Sequence, residues 1–227
     1  MTPLVECRGV TRAYPGGVFA VAELDMSIFP GEYVALMGPS GSGKTTLSNL
    51  IGLLDTPTSG SVWIEGEDTS RWSDRERSER RSSMISYVFQ SFHLLPDRTV
   101  RENVETGLIH QRVPRARRHD AVSRAIESVG LAERAGAVAR TLSGGEQQRT
   151  AVARALVRKP RLLICDEPVG NLDEENARNV LDMIDDAHRS GVTVALVTHD
   201  SVAAQRAERV VRLARGRLEG AADRPGS

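Results

Sequence analysis

Lysine is nearly missing from this chain of 227 residues. Lys44 and Lys159 stand alone, and the rest of the 30 basic residues are arginine. That scarcity makes the lysine at Lys44 informative. Cysteine is equally rare, with only Cys7 and Cys165. Neither lies in a CxxC or Cys/His spacing, which excludes a disulfide framework and a thiolate metal site and fits a reducing, cytoplasmic compartment. Cys165 ends an apolar run and reads as a small core residue. There is no net charge, since 30 acidic residues balance 30 basic ones. A neutral balance argues against a protein that coats nucleic acid. No stretch approaches the roughly 18 apolar residues of a membrane span. The start, Met1–Val10, lacks the basic segment and apolar run of a signal peptide. A membrane role would therefore need another chain. Internal repeats are absent too.

What is present alternates. The N-terminal third reads as strands, with Val18–Phe29 loosely alternating, a turn at Pro30-Gly31 and a short apolar run at Tyr33–Met37. A glycine-rich loop and a helix from Lys44 to about Leu53 follow. Then come a turn at Asp55–Gly60 and a strand at Ser61–Ile64. Ser73–Ser83 is dense in Arg, Glu and Ser and reads as a solvated helix or loop. Ile85–Phe89 is strand-like. Val100 to Val129 has a helical pattern, with Ala121, Val122, Ala125, Ile126 and Val129 on one face, interrupted by the charges of Arg115–Arg118. The last third predicts helix Gly145–Arg158, strand Leu162–Asp166, helix Glu174–Arg189, strand Thr193–Thr198, a short helix Ser201–Ala207 and strand Arg209–Leu213. Such alternation implies a mostly parallel sheet with helices on both faces. Gly220–Ser227 has the composition of a frayed tail.

Three motifs carry chemistry. The first is Gly38-Pro39-Ser40-Gly41-Ser42-Gly43-Lys44-Thr45. It fits the phosphate-loop pattern between a predicted strand and a predicted helix. Glycines let backbone N–H groups turn toward phosphate oxygens, and the helix start adds partial positive charge. Lys44 is expected at the β- and γ-phosphates, and the Thr45 hydroxyl on Mg²⁺. The second is the apolar strand Leu162–Cys165 ending in Asp166-Glu167. It places two carboxylates at the sheet edge where ligands sit in open α/β folds. Asp166 is expected in the Mg²⁺ shell. Strand alternation is expected to point Glu167 the other way, where it can polarise an attacking water. The third is Leu142-Ser143-Gly144-Gly145-Glu146-Gln147-Gln148-Arg149. Ser-Gly-Gly before a helix is either an ordinary N-cap or a second anion nest.

These residues together resemble the nucleotide-binding domain of the ABC transporter family, over nearly the whole chain. Leu142–Arg149 is similar to the family signature. Gln90 resembles the Q-loop glutamine that touches Mg²⁺ and senses the transmembrane subunit. Asn171-Leu172-Asp173 resembles the D-loop, His199 the switch histidine at the γ-phosphate, and Tyr14 the aromatic residue stacked on adenine. The resemblance implies an α/β P-loop NTPase fold with a mostly parallel core, an N-terminal antiparallel β subdomain and a helical subdomain near 90–140. It implies one domain over 1–220, with 221–227 a flexible tail. It also implies a site in which Tyr14, Gly38–Thr45, Thr46, Gln90, Ser143, Gly144, Gly145 and Asp173 bind ATP. Thr45, Gln90 and Asp166 hold Mg²⁺, and Glu167 and His199 are catalytic. The family places Ser143–Gly145 across a subunit boundary, so the expectation is a homodimer that sandwiches two ATP molecules. That dimer drives an integral-membrane permease on the inner face of the plasma membrane, without nucleic acid.

Within the family, Leu53–Gly60, Phe89–Pro96 and Gly170–Asp173 resemble the macrolide-export and lipoprotein-releasing branch. Val169 departs from that pattern, where threonine is usual, and so does Ala139-Arg140-Thr141 before the signature. The cell-division ATPase, which acts on a cell-wall hydrolase through a membrane partner, shares Leu142–Arg149 and Gly170–Asp173. A soluble non-transport ABC ATPase is the remaining alternative. A long coiled coil between Lys44 and Ser143, as in chromosome-type members, has no room.

Overall fold

The computed structural model describes residues 1–109 and 113–219. The expected tail at Gly220–Ser227 lies outside the described residues. Contacts group the described residues into two compact units, 1–81 with 193–219, and 82–109 with 113–192.

The first unit holds two sheets. In one, β1 (Val5–Tyr14) pairs antiparallel with β2 (Val18–Ile28) and β4 (Ser59–Ile64), and β5 (Glu67–Asp68) adds to β4. This is the expected antiparallel β region. The residues of β1 show no clear alternation, because its pairing register shifts between Cys7 and Val10 and again before Arg12 and Ala13. Bulges of this kind break the period-2 pattern. In the other sheet, β3 (Tyr33–Met37) runs parallel to both β8 (Thr193–Thr198) and β9 (Arg209–Ala214). All residues of β3 and β8 are buried. Burial on both faces is why these strands read as unbroken apolar runs. The short β10 (Arg217–Leu218) folds back on β9. Helices α1 (Lys44–Ile51) and α7 (Ser201–Ala204) follow β3 and β8. Helix α2 (Asp74–Met84) buries only Met84, and its Arg75–Glu79 ion pair spans one helical turn at 3.0 Å. Of the solvated helix or loop that its composition allows, it is the helix.

The second unit builds on β6 (Ile85–Phe89), parallel to β7 (Leu162–Asp166). Its helices are α3 (Val100–Thr106), α4 (Arg115–Ser128), α5 (Gly144–Leu156) and α6 (Glu174–Arg189). The helical stretch expected over Val100–Val129 is therefore split. Helix α3 stops at Gly107, and α4 begins after Pro114, a residue that lacks a backbone donor. Val122, Ile126 and Val129 are buried as the periodicity requires, with Ala121 and Ala125 half-buried. Helix α6 buries Val180, Leu181, Ile184 and Ala187 along one stripe. Its acids Glu174 and Glu175 lie in the first turn and His188 and Arg189 in the last, each complementing the helix dipole.

Both cysteines are buried. Burial pushes the Cys7 thiol up to about 12 and raises that of Cys165 as well, with Asp166 adding to the latter. These are neutral core thiols rather than nucleophiles. Among the described residues, no helix is long and apolar enough to cross a membrane.

Candidate nucleotide site

Parallel pairing decides which loops share an edge. In the first unit, Met37 lies opposite Thr198. The residues that follow, Gly38 and His199, therefore leave the sheet at the same edge. The loop 38–43 then feeds α1. Among the described residues, no side chain caps α1, and its first turn holds no acid. Its first N–H groups and its positive dipole end are thus left for an anion. The Lys44 ammonium is buried and donates to the carbonyls of Gly38 (2.8 Å) and Pro39 (3.1 Å). It is held across the loop by weak neutral acceptors, which a phosphate would outcompete. Pro39 also accepts from the Ser42 N–H, at 3.2 Å. The Ser42 Oγ is buried with no hydrogen-bond partner among the described residues. Pro39, Ser40, Gly41 and Thr45 are exposed at this loop, and Thr46 is half-buried.

Gly43 cannot be another residue. Its φ is 102°, and a Cβ there would stand 2.0 Å from the Ala20 carbonyl oxygen. Gly43→Ala is expected to cost more than about 2 kcal/mol of stability and to abolish ATP binding, because both the strain and the clash fall on the loop backbone. Thermal unfolding and calorimetric titration check it; an unchanged Tm with retained binding would contradict the account.

His199 is exposed one residue beyond β8. Its chain direction is fixed on both sides. The Asp200 N–H donates to Thr198 Oγ1 (3.0 Å), and the Asp200 carboxylate caps α7 at Val202 N (2.8 Å). Tyr14 ends β1 opposite Val18, partly exposed, with its hydroxyl donating to Asp55 Oδ2 at 3.3 Å.

The second unit repeats the edge logic. Phe89 lies opposite Asp166, so Gln90 and Glu167 emerge together. Glu167 falls outside the strand, with φ 47°. The expected strand alternation therefore does not aim its side chain; a left-handed turn of the backbone does. A non-glycine residue held there is strained, and such strain gathers at functional positions. Gln90 Nε2 donates to Asn171 Oδ1 (3.1 Å), and Asn171 Nδ2 returns a bond to the Gln90 carbonyl (3.3 Å).

Ser143 is the N-cap of α5. Its Oγ accepts from Glu146 N at 3.3 Å, and Glu146 Oε2 accepts from Ser143 N at 2.8 Å. The bond from the Ser143 N–H, with Arg134 beside it, holds the Glu146 carboxyl below the usual range. Gly144 stays exposed. Gly145 is packed so closely that a Cβ would lie 2.0 Å from Asn176 Oδ1. Asp173 caps α6 through Asn176 N (2.8 Å) and also accepts from Asn176 Nδ2 (2.7 Å). The Asn176 N–H bond lowers the Asp173 carboxyl. Asn176 Oδ1 in turn accepts from Arg149, at 3.2 Å. One asparagine thus ties the Asp173 turn to the start of α5.

Sequence reasoning missed Asn176 and also Gln148. Gln148 is fully buried and donates to the carbonyls of Phe89 and Pro168, next to Gln90 and Glu167. A glutamine on the apolar side of a helix was the available signal. Among the described residues, no cluster of three His, Cys, Asp or Glu could cage a metal. The hydroxyl, amide and carboxylate of Thr45, Gln90 and Asp166 are hard oxygen donors. Each is, by itself, the kind of oxygen ligand that Mg²⁺ takes.

The sequence profile of the ABC transporter family matches residues 21–170. The macrolide export ATP-binding/permease protein MacB of Agrobacterium fabrum is 42% identical over 94% of this chain and 34% of its own length. The pyoverdine export ATP-binding/permease protein PvdT of Pseudomonas syringae pv. syringae is 40% identical over 95% of this chain and 33% of its own. The chain thus spans about a third of the length of these relatives. The ABC transporter ATP-binding protein YknY of Bacillus subtilis is 40% identical over 95% of both chains. Among solved structures, a dimeric ATP-binding cassette in a post-hydrolysis state bound to ADP and Pi superposes with a TM-score of 0.88. It is 36% identical and covers 95% of this chain and 97% of that one. With these matches added to the phosphate loop, the Asp166-Glu167 strand end and the Ser143–Gly145 cap, the chain belongs to the ABC transporter family as one of its ATP-hydrolysing cassettes.

Proposed function

We propose that this chain binds Mg-ATP, hydrolyses it as one half of a head-to-tail dimer, and drives a membrane permease of the export type. The observation that carries the reading is the phosphate loop. It combines a helix start that has no first-turn acid and, among the described residues, no side-chain cap with a buried Lys44 ammonium resting on two loop carbonyls. Backbone donors of Gly38–Thr46 would take the β- and γ-phosphates, and Tyr14 would carry the adenine. Thr45, Gln90 and Asp166 would hold Mg²⁺, whose charge, when it is bound, offsets that of the phosphates. Glu167 accepts a proton from the attacking water, and His199 orients on the γ-phosphate.

A phosphate loop covers one side of a nucleotide only, and phosphoryl transfer needs charge stabilisation from several directions. Ser143–Gly145 of a second copy would supply the rest, with Asp173 at the same boundary. The dimeric cassette that this fold matches supports that arrangement. The relatives named as macrolide and pyoverdine export ATP-binding/permease proteins support a permease partner and an export role. The chain then sits on the inner face of the plasma membrane through that permease. The helical part near 90–140 passes it the motion of one domain spanning 1–220.

The test is recovery from its own cells. Affinity-tagged chain is expected in the membrane fraction with an integral-membrane permease, releasing phosphate from Mg-ATP. Recovery only from the soluble fraction, with no permease, overturns the transport reading. Absence of phosphate release overturns the catalytic one.

A further inference from the structure

Tyr14 does not stand alone at the end of β1. The Arg12 guanidinium carbon lies over its ring, 5.0 Å from the centroid. The same Arg12 pairs with Asp55 Oδ1 at 2.9 Å, while the other oxygen of Asp55 accepts from the Tyr14 hydroxyl at 3.3 Å. One carboxylate therefore holds both the cation above the ring and the ring's polar end. Arg12 and Asp55 are largely covered, with side chains 24% and 20% exposed. Arg12 Nε is buried without a hydrogen-bond partner among the described residues, so this arginine accepts a cost to lie where it does.

Asp55 is itself anchored. Its N–H and that of Leu54 both donate to the Asn49 carbonyl in α1, at 3.2 and 2.8 Å, and its Oδ1 accepts from Thr56 N at 2.7 Å. Three residues on, Thr58 N donates to the Thr11 carbonyl (2.7 Å), and Ala13 N donates to Thr58 Oγ1 (3.1 Å). The carboxylate therefore hangs from the far end of the helix that begins at the phosphate loop, and the segment after it is stitched back to the strand carrying Tyr14.

We infer that Arg12 and Asp55 are positioning residues for the nucleobase, holding the Tyr14 ring ready so that its open face receives the adenine without first being ordered. The inference rests on the reading of Tyr14 as the base platform. A cation over one face and a hydrogen bond at the hydroxyl remove the ring's freedom before ligand arrives, and preorganisation of this kind raises affinity by lowering the cost of binding. The alternative is a purely structural brace between β1 and the end of α1. A brace affects every ligand of the first unit alike. A base platform affects only ligands that carry a base.

The experiment compares ATP with inorganic tripolyphosphate, which has the phosphates and no base, by isothermal titration calorimetry. Arg12→Met keeps the aliphatic stem and removes the cation. Asp55→Asn keeps an acceptor for Thr56 N and removes the charge. Both are expected to weaken ATP about fivefold, with tripolyphosphate held within about twofold. Arg12→Lys should recover most of the loss. If Arg12→Met fails to fold, Asp55→Asn and Tyr14→Phe, which lacks only the hydroxyl, carry the same comparison. Equal weakening of both ligands, or of neither, overturns the inference. Tyr14→Ala separates the two layers. It should weaken ATP about tenfold or more relative to tripolyphosphate. If it does so while the Arg12 and Asp55 variants behave as wild type, only the positioning role falls. If the ratio is unmoved in Tyr14→Ala, the platform reading falls and takes the inference with it.

Discussion

Glu167→Gln lowers ATP turnover about a thousandfold and leaves ATP binding intact, so that the chain collects as an ATP-bound dimer. A positioned general base contributes roughly 10²–10⁴ in rate, and the amide cannot accept the proton. A thousandfold loss corresponds to about 4 kcal/mol of transition-state stabilisation. The substitution isolates that loss unusually well. Glu167 sits one residue beyond β7 with φ 47°, a backbone cost that glutamine bears equally. Shape and most hydrogen-bonding capacity are kept, so the turn at Pro168–Gly170 and the bond from Gly170 N to the Glu167 carbonyl should persist. What changes is one proton acceptor. ATP then closes the dimer and nothing reopens it. Phosphate release and size-exclusion chromatography with ATP read the two halves separately. Wild-type turnover would remove Glu167 from the role of base. Loss of turnover with a monomer in ATP would keep the base and discard the closed dimer.

The parts of the fold that are legible in the sequence carry their signal in a local residue pattern. Strands β6, β7 and β8 and helix α6 have the bounds that their residue patterns predict. Buried parallel strands write themselves as mostly apolar runs, most fully in β8, and α6 carries a clean stripe with acids at its start and bases at its end. Strand β1 was illegible because bulges reset its alternation. The break between α3 and α4 was underestimated because helical spacing persists on both sides of it.

The site divides the same way. Gly38–Thr45, Asp166-Glu167 and Ser143–Gly145 are local motifs, so chain order displays them. Gln148, Asn176 and the Arg12–Asp55 pair act on residues far away in sequence, and only folding shows whom they touch. For Gln148 these are the Phe89 and Pro168 carbonyls; for Arg12 and Asp55, the ring of Tyr14. Glu167 is the instructive case. Its identity was readable from two letters, but its direction depends on a left-handed residue that no alternation rule supplies.

Two inactive forms of this chain should restore each other. Lys44→Ala removes the ammonium that spans the phosphate loop, and such a protein should neither hold ATP firmly nor turn it over. Ser143→Arg places bulk and charge at the start of α5 and removes the cap that accepts from Glu146 N. It should bind ATP as a monomer and not hydrolyse it, because Ser143 is not expected to touch the nucleotide bound to its own chain. Each variant alone is dead for a different reason. In a head-to-tail pair of unlike chains, one site joins a damaged loop to a damaged signature, and the other joins an intact loop to an intact signature. In a symmetric dimer with free exchange, half the pairs are mixed and each has one good site of two, so activity returns to about a quarter of wild type at most. Coupling between the sites would lower that figure without abolishing it. A site completed within one chain predicts zero, since neither variant has both halves. A phosphate-release assay on the two proteins separately and mixed decides between these outcomes. The Ser143→Arg protein must also show wild-type ATP affinity by calorimetry. If that affinity is lost, Ser143 belongs to the site of its own chain, and the division of one active site between two copies is wrong.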